Sequence, residues 1–273
     1  MAGLQRAGAG RPPLRVRALH LPPPEATGKD GEFCAVELED GAVGLSFVLL
    51  GDTLARLRAG ATSGVGPVVG AAALDLAGWF ASREGVERTL GYATVNALTG
   101  SLHARAGYRP PDAPDSLGLL DPRPGDHVGM VGLFRSVAAK VVAAGARLTV
   151  LELEAELAGA REGYLVTLDP GALAGCNKVL STSTILLNGT LEVILAACRG
   201  ATTLALVGPG ASCLPDPLFA RGVTLLGGVE VVDRAGLLAA IATGAKWGGS
   251  TRRVAITVGD YPGLEVLLRR VRP

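Results

Sequence analysis

The sequence lacks the features that mark several common classes of protein. Its four cysteines, Cys34, Cys176, Cys198 and Cys213, include no short-spaced pair, so neither a disulfide framework nor a cysteine-based zinc site is indicated. The three histidines show no metal-binding spacing either. The net charge is +1, with no stripe of lysine and arginine, which speaks against a nucleic-acid surface.

What the sequence contains in quantity is typical of a compact α/β protein. It has 39 glycines and 48% hydrophobic but only 4% aromatic residues in 273, a composition that suits a real core and many tight turns. No run of about eighteen apolar residues is present, and the basic N-terminus lacks the apolar core of a signal peptide. We therefore expect a cytoplasmic protein, with no membrane or nucleic-acid partner, that binds a small molecule. Alanine- and glycine-rich helix surfaces are also compatible with a homodimer.

In the first part of the chain, strand patterns precede helix patterns. Two β-like runs flank Asp40-Gly41, a strong hairpin signal. Helical periodicity follows over 71–81 and 84–98, and the proline-rich stretch 108–125 predicts a linker. These signals divide the chain into a disordered tail (1–13), an α+β domain (14–118) and an α/β domain with a Rossmann-like parallel sheet (119–273).

The second part of the chain alternates strands with helices. This alternation predicts right-handed crossovers and a parallel sheet. Ligands of open parallel sheets bind beyond the carboxyl ends of the strands, so the turns that follow the strands are the candidate positions for a site. The predicted strands that precede such turns cover 127–131, 147–153, 178–182 and 203–207.

The first candidate turn runs from Gly129 to Gly132, ahead of a helix that starts near Phe134. Glycines at such a turn expose backbone N–H groups at a helix N-terminus, where an anion or carboxylate is favoured. Arg135 is placed to hold a carboxylate or phosphate through two hydrogen bonds. A plain tight turn and a solvent-facing arginine would explain the same residues without a ligand.

Two glutamates follow the next strand. The alternation Leu151-Glu152-Leu153-Glu154 places both carboxylates on one face of an extended chain. Nucleotide-type α/β folds commonly hold a ribose hydroxyl at this position, so Glu152 or Glu154 is a candidate ribose acceptor. The alternative is a solvated strand end.

Hydroxyl groups and glycines follow the last two of these strands. Four hydroxyl residues in a row exceed what helix capping requires, which favours ligand contact, although an Asn-Gly-Thr cap needs no ligand. A Gly-Pro-Gly turn allows close approach of backbone to a ligand, or serves only as a turn. The candidate residues of these two turns are Ser181, Thr182, Ser183, Thr184, Asn188, Thr190, Gly208 and Pro209.

Several of these stretches, in this order, resemble one known family. It is the domain family labelled "putative heavy-metal chelation", in which a Rossmann-like domain follows a domain with an enolase-N-terminal-like fold. The resemblance implies that the ligand site is a cleft between the two domains. The stretches that carry it include Val131-Gly132-Leu133-Phe134, Asn188-Gly189-Thr190, Val207-Gly208-Pro209, Leu214-Pro215-Asp216-Pro217-Leu218-Phe219, and the helix-like segment 87–98.

Two departures from the family pattern fall at the proposed ligand-facing turns. The family usually continues the phenylalanine with prolines, where this chain has Arg135-Ser136. It usually has Thr-Gly-Thr before Asn-Gly-Thr, where this chain has the run 181–184. These departures leave room for a ligand that differs from that of typical members.

Three functions fit the pattern. The first is an enzyme, a transferase or lyase, that uses S-adenosylmethionine (SAM) or a related nucleoside, since the lack of a G-x-G-x-x-G motif disfavours NAD or FAD. The second is a heavy-metal or metal-chelate binding protein, although the scarcity of histidine and paired cysteine counts against direct metal ligation. The third is a non-catalytic interaction module. No catalytic residue is singled out, because nothing in the spacing chooses among Glu87, Glu152, Glu154, Lys178 and Asp233.

Overall fold

The computed structural model describes residues 13–24, 32–60, 67–113 and 119–271, so the predicted disordered tail lies outside the described residues except for Pro13. The first three strands, β1 (Val16–His20), β2 (Phe33–Leu38) and β3 (Val43–Phe47), form an antiparallel sheet in that order. The hairpin predicted at Asp40-Gly41 joins β2 to β3, and Gly41 adopts a φ of 88° that favours glycine.

Three helices, α1 (Thr53–Arg58), α2 (Ala73–Ser82) and α3 (Gly85–Arg105), complete the first part of the chain. Helix α3 continues beyond the predicted end at residue 98 because its second half also packs in the core. The close approach of α3 to β3 and to α2 depends on glycine. A Cβ on Gly44 of β3 would lie 2.1 Å from Ala93 O, and a Cβ on Gly91 would lie 2.3 Å from Phe80 N of α2. Among the described helices, none is long and apolar enough to cross a membrane.

The second part of the chain forms a sheet of eight strands in the order β11-β10-β9-β8-β4-β5-β7-β6. The six inner strands are parallel, as expected, whereas the edge strands β6 and β11 run antiparallel to their neighbours. The strands are β4 (His127–Val131), β5 (Arg147–Leu151), β6 (Gly159–Arg161), β7 (Tyr164–Thr167), β8 (Lys178–Thr182), β9 (Thr203–Val207), β10 (Leu225–Val231) and β11 (Thr251–Thr257).

Helices cover both faces of this larger sheet. Helix α4 connects β4 to β5 and buries Val137, Ala138 and Val141 against one face. The opposite face packs α5 and, from the first part of the chain, α3. The helices of this part are α4 (Arg135–Ala143), α5 (Leu191–Ala197), α6 (Asp216–Phe219), α7 (Arg234–Thr243) and α8 (Leu264–Arg270).

The small sheet lies between helices from the two parts of the chain. Val36 of β2 shares a buried cluster with Leu90 of α3. Its neighbour Ala35 points to the opposite face, where it shares a cluster with Leu237 and Ile241 of α7. The two parts of the chain therefore share their hydrophobic cores.

The predicted linker lies along the large sheet. Ala113 donates its N–H to Arg253 O at 3.1 Å, and Ala255 donates to Pro111 O at 3.0 Å, so these linker residues pair with the outer edge of β11. Further along, Leu120 is buried in the same cluster as α4. The described linker residues thus help to shield the sheet.

Candidate functional site

The chain reverses direction across the large sheet beside β4, because β5 lies on one side of β4 and β8 on the other. In an open parallel sheet, ligands bind at such a point, beyond the carboxyl ends of the strands. Gly132 follows β4 with a φ of 85°, and a Cβ there would lie 3.4 Å from the side chain of Thr182, at the end of β8. We call this place the strand-end crevice and define it by Gly132, Phe134, Glu152, Thr182 and Thr184.

Glu152 ties the end of β5 to the turn after β4. Its Oε1 accepts a hydrogen bond from the N–H of Leu133, and its Oε2 accepts one from the N–H of Leu153 at 3.2 Å. Because a carboxylate has about four lone-pair positions, this half-buried group retains acceptor capacity for a ligand.

The two threonines of the crevice are bonded to each other. Thr182 Oγ1 accepts the N–H of Thr184 at 3.2 Å and caps the short 3₁₀ helix that begins at Ser183. Its distance to Thr184 Oγ1 is 3.0 Å. Both residues are half-buried, so their hydroxyls serve the turn and are still reachable from solvent.

The next turn along the sheet is closed by α3. The Tyr92 hydroxyl donates to Gly210 O at 2.6 Å, and Asn96 Nδ2 donates to Gly210 O at 3.0 Å and to Leu45 O at 2.8 Å. Ser183 Oγ, from the short 3₁₀ helix after β8, lies close to this turn, 3.0 Å from where a Cβ on Gly208 would stand. We call these contacts the domain seam, because they join α3 and β3 to the turn after β9.

Burial keeps the groups of the seam in their neutral forms. It is the main cause that raises the pKa of the Tyr92 hydroxyl well above its ordinary value, and the neighbouring Cys213 thiol adds to the effect. Tyr92 is therefore neutral, and a hydrogen-bond donor, at neutral pH.

The remaining predicted residues are not among those that define the crevice. Gly129 lies inside β4 rather than in the turn, where a Cβ would lie 2.9 Å from Leu173, so this glycine serves packing. Ser181 is fully buried. Arg135, the first residue of α4, and Glu154 are exposed. Asn188 and Thr190 bond to each other, and Pro209 is half-buried on the turn after β9.

Two of the candidate acid–base residues are engaged elsewhere. Lys178 lies at the amino end of β8, opposite the crevice, and its Nζ is 2.8 Å from Asp126 Oδ2. This contact, with a hydrogen bond from Asn177, lowers the pKa of Asp126 to about 2. Asp233 caps α7, since its Oδ1 accepts the N–H of Gly236 at 2.9 Å. These contacts give Lys178 and Asp233 structural roles.

A second opening lies between the two parts of the chain. Asn188 and Gly189 line it together with residues of α1 and the start of α3, and its volume is about 330 Å³. We call it the interdomain cavity. The resemblance implied a cleft of this kind, but its other lining residues, among them Thr53, Arg88 and Thr89, were not singled out in the sequence.

The cysteines are buried free thiols, and burial opposes the thiolate form that binds metals. Burial raises the pKa of Cys34 and Cys198 to about 12, and that of Cys176 and Cys213 to about 11. All four are therefore protonated thiols at neutral pH. Within the described ranges, no three or more His, Cys, Asp and Glu side chains are grouped so as to hold a metal ion.

Comparison with known proteins identifies relatives of both parts of the chain. A family model described as "Putative heavy-metal chelation" (DUF364) matches residues 115–258, and a second model with the same description (DUF4213) matches residues 31–99. No curated protein matches the sequence.

Two crystal structures of DUF364 proteins of unknown function share the fold. The one from Pyrococcus horikoshii has a TM-score of 0.67 at 20% identity and covers 94% of this chain and 97% of its own. The one from Desulfitobacterium hafniense has a TM-score of 0.66 at 22% identity and covers 93% and 96%. The predicted fold class, a large and mostly parallel sheet preceded by a small α+β unit, is thereby confirmed.

Proposed function

Because the chain belongs to the DUF364 family, whose description is "Putative heavy-metal chelation", we propose that it binds a heavy metal as a small organic complex. The complex would be held in the strand-end crevice. In this proposal the organic part of the complex supplies the metal ligands, and the protein recognises the organic part.

The donor chemistry of the described residues does not fit a bare metal ion. Soft metals prefer thiolate or imidazole ligands, and the thiolate rather than the thiol is the ligand. The four thiols are buried and protonated, with pKa values raised to about 11 or 12. Burial also lowers the pKa of His103 to about 4, and this side chain lies in the core, away from the crevice. We therefore assign no direct ligation step to these side chains.

The single observation that carries the proposal is the set of hydrogen-bonding groups at the crevice. Gly132 opens the backbone at the strand end, while Thr182, Thr184 and Glu152 place two hydroxyls and one carboxylate around it. Such groups recognise hydroxyl, carboxyl and amine functions of an organic molecule. They are the functions with which small chelators bind metals.

A nucleoside ligand is the second candidate, and one observation favours it. Glu152 stands at the end of β5 beside the turn after β4, which is where Rossmann-like folds hold ribose hydroxyls. In that case the protein would be a SAM-dependent transferase or lyase. Both candidates use the same crevice, so one experiment can compare them.

Isothermal titration calorimetry on the whole chain tests both candidates. The probes are ferric citrate, the Ni(II)–histidine complex, Ni(II) in a weakly coordinating buffer, and SAM. We expect saturable binding of a metal complex and none of uncomplexed Ni(II). Thr182→Val and Glu152→Gln should each weaken binding about tenfold, the loss expected when a hydrogen bond to a ligand is removed.

Thr243→Val is the matched control, because this exposed threonine on α7 bonds, among the described residues, to the carbonyls of its own helix alone. Tight binding of uncomplexed Ni(II) that survives both crevice substitutions would overturn the chelate proposal. Binding of SAM alone, weakened by Glu152→Gln, would select the nucleoside candidate instead.

A further inference from the structure

The interdomain cavity has polar groups from both parts of the chain and is distinct from the strand-end crevice. The connection from β3 to α1 contributes Leu50 and Asp52, helix α1 contributes Thr53, and the start of α3 contributes Gly85, Arg88 and Thr89. The larger part contributes Leu187, Asn188 and Gly189. The volume of about 330 Å³ is sufficient for a small metabolite.

Two threonines that line this cavity are almost fully buried as residues. Thr53 and Thr89 are 3% and 2% exposed, and both line the cavity. Across the described residues, neither hydroxyl forms a hydrogen bond. By contrast, the buried hydroxyls of Thr94 and Thr99, which lie on α3 like Thr89, each bond to a backbone carbonyl. Neither hydroxyl is among the buried side-chain atoms without a partner, so both hydroxyls are available as donor and acceptor to a ligand in the cavity.

Positively charged groups lie at the cavity near the start of α3. This helix has 21 residues, and no side chain caps its N-terminus, so its first N–H groups and its dipole favour an anion there. Arg88 uses Nε to donate to Arg83 O at 3.0 Å, which leaves its two terminal nitrogens for a carboxylate. Arg56 adds a second guanidinium, 3.5 Å from where a Cβ on Gly85 would stand.

Negative charge lines the same opening. Asp52 and Glu84 are both lining residues, and Asp52 Oδ1 is 3.9 Å from Arg56 Nη1. A simple anion would be repelled by these carboxylates, and a simple cation by the arginines. The cavity is therefore matched to a molecule that carries both charges.

The remaining wall is apolar. Leu187 is buried and Leu50 is half-buried, and both line the cavity. Asn188 faces the cavity as well, while its Oδ1 is held by Thr190 at 2.6 Å, so its amide nitrogen is the group left to donate.

From these observations we propose that the interdomain cavity binds an α-amino acid with an apolar side chain. Arg88, Thr89 and the start of α3 bind the carboxylate. Asp52 and Glu84 bind the ammonium group, and Leu50 and Leu187 contact the side chain. This site is independent of the crevice, because the two share none of the residues that define them.

Calorimetry with whole amino acids and with their halves tests the proposal. The probes are L-leucine, L-methionine and L-phenylalanine, together with 4-methylpentanoate, which lacks the ammonium group of leucine, and 3-methylbutylamine, which lacks its carboxylate. We expect at least one amino acid to bind saturably. The affinity of each half-molecule for the site should be at least about tenfold lower than that of leucine, since one charged contact is lost.

Substitutions place the ligand in the cavity. Arg88→Gln and Thr89→Val should each weaken amino-acid binding about tenfold or more, whereas Arg161→Gln, an exposed arginine on β6, should leave it unchanged. Circular dichroism of each variant confirms folding. Absence of binding by all three amino acids would overturn the proposal. Equal binding of a half-molecule, or full affinity in both cavity variants, would overturn it too.

Discussion

The domain seam makes a quantitative prediction about how two hydrogen bonds share one acceptor. Tyr92 and Asn96 are 1% and 2% exposed, and both donate to the carbonyl of Gly210. Tyr92→Phe removes one donor but leaves Gly210 O bonded to Asn96. Asn96→Leu removes the other donor, together with the bond to Leu45 O, at nearly constant volume.

The expected losses follow from the number of bonds removed. Tyr92→Phe should lower the free energy of unfolding by about 1 kcal/mol, the usual net contribution of one hydrogen bond. Asn96→Leu should lower it by about 2 kcal/mol, because two bonds are lost. The double variant should lose about 1–3 kcal/mol more than the sum, since only then is the buried carbonyl of Gly210 left without either donor.

Urea unfolding of the four proteins, followed by circular dichroism at constant pH, measures this double-mutant cycle. The slope of free energy against urea must be equal in all four for the comparison to hold. Additivity of the two substitutions within about 0.5 kcal/mol would refute the shared acceptor, because independent sites add to within that margin.

Three further predictions concern packing, pH and thiol reactivity. Gly91→Ala should destabilise the protein by about 1–3 kcal/mol, because the new Cβ would lie 2.3 Å from the backbone of Phe80. A Cβ on Gly100 of the same helix meets no atom within 4 Å, so Gly100→Ala should stabilise the protein by about 0.5–1 kcal/mol. Thermal melts of the two variants test both expectations. Burial lowers the pKa of His103 from 6.5 to about 4, so the unfolded chain binds a proton at a higher pH than the folded protein does, and the free energy of unfolding falls as the pH drops from 6.5 to 4. His103→Phe should flatten that part of the curve of stability against pH. A curve identical to that of the parent protein would contradict this prediction. The four buried thiols should react with a thiol reagent at pH 8 only as the chain unfolds, giving four equivalents in urea and almost none, at short times, without it.

Local signals and general rules were sufficient to predict which strand ends lie beside the turn after β4. The carboxyl ends of parallel strands meet at one edge, so Gly132 after β4, Glu152 after β5 and Thr182 at the end of β8 were expected to lie close together, and they do. The hairpin at Asp40-Gly41 was equally legible, because the turn requires a residue that tolerates positive φ. In both cases the deciding interaction is close in sequence or is imposed by strand direction.

The strands β10 and β11 show where such rules stop. Gly227 and Gly228 interrupt the β-like pattern of the sequence, yet β10 runs through both. A Cβ on Gly228 would lie 2.4 Å from Ala211 O, so this glycine marks a close approach of the neighbouring turn and not a strand end. The antiparallel direction of β11 likewise depends on how α7 returns the chain, which no local pattern reveals.

The domain seam and the interdomain cavity form only where α3 packs against the larger part of the chain, and the residues that meet there lie far apart in the sequence. Tyr92 meets Gly210 across 118 residues, and its spacing of four from Asn96 shows only that the two share a face of α3. Arg88 and Thr89 precede them on the same helix, at the cavity. Since α3 carries both groups, the seam that fixes this helix against the turn after β9 also holds the cavity residues opposite Asn188. A ligand that bridges the cavity would stabilise the docked arrangement in proportion to its binding, because the undocked parts would offer it only half of a site.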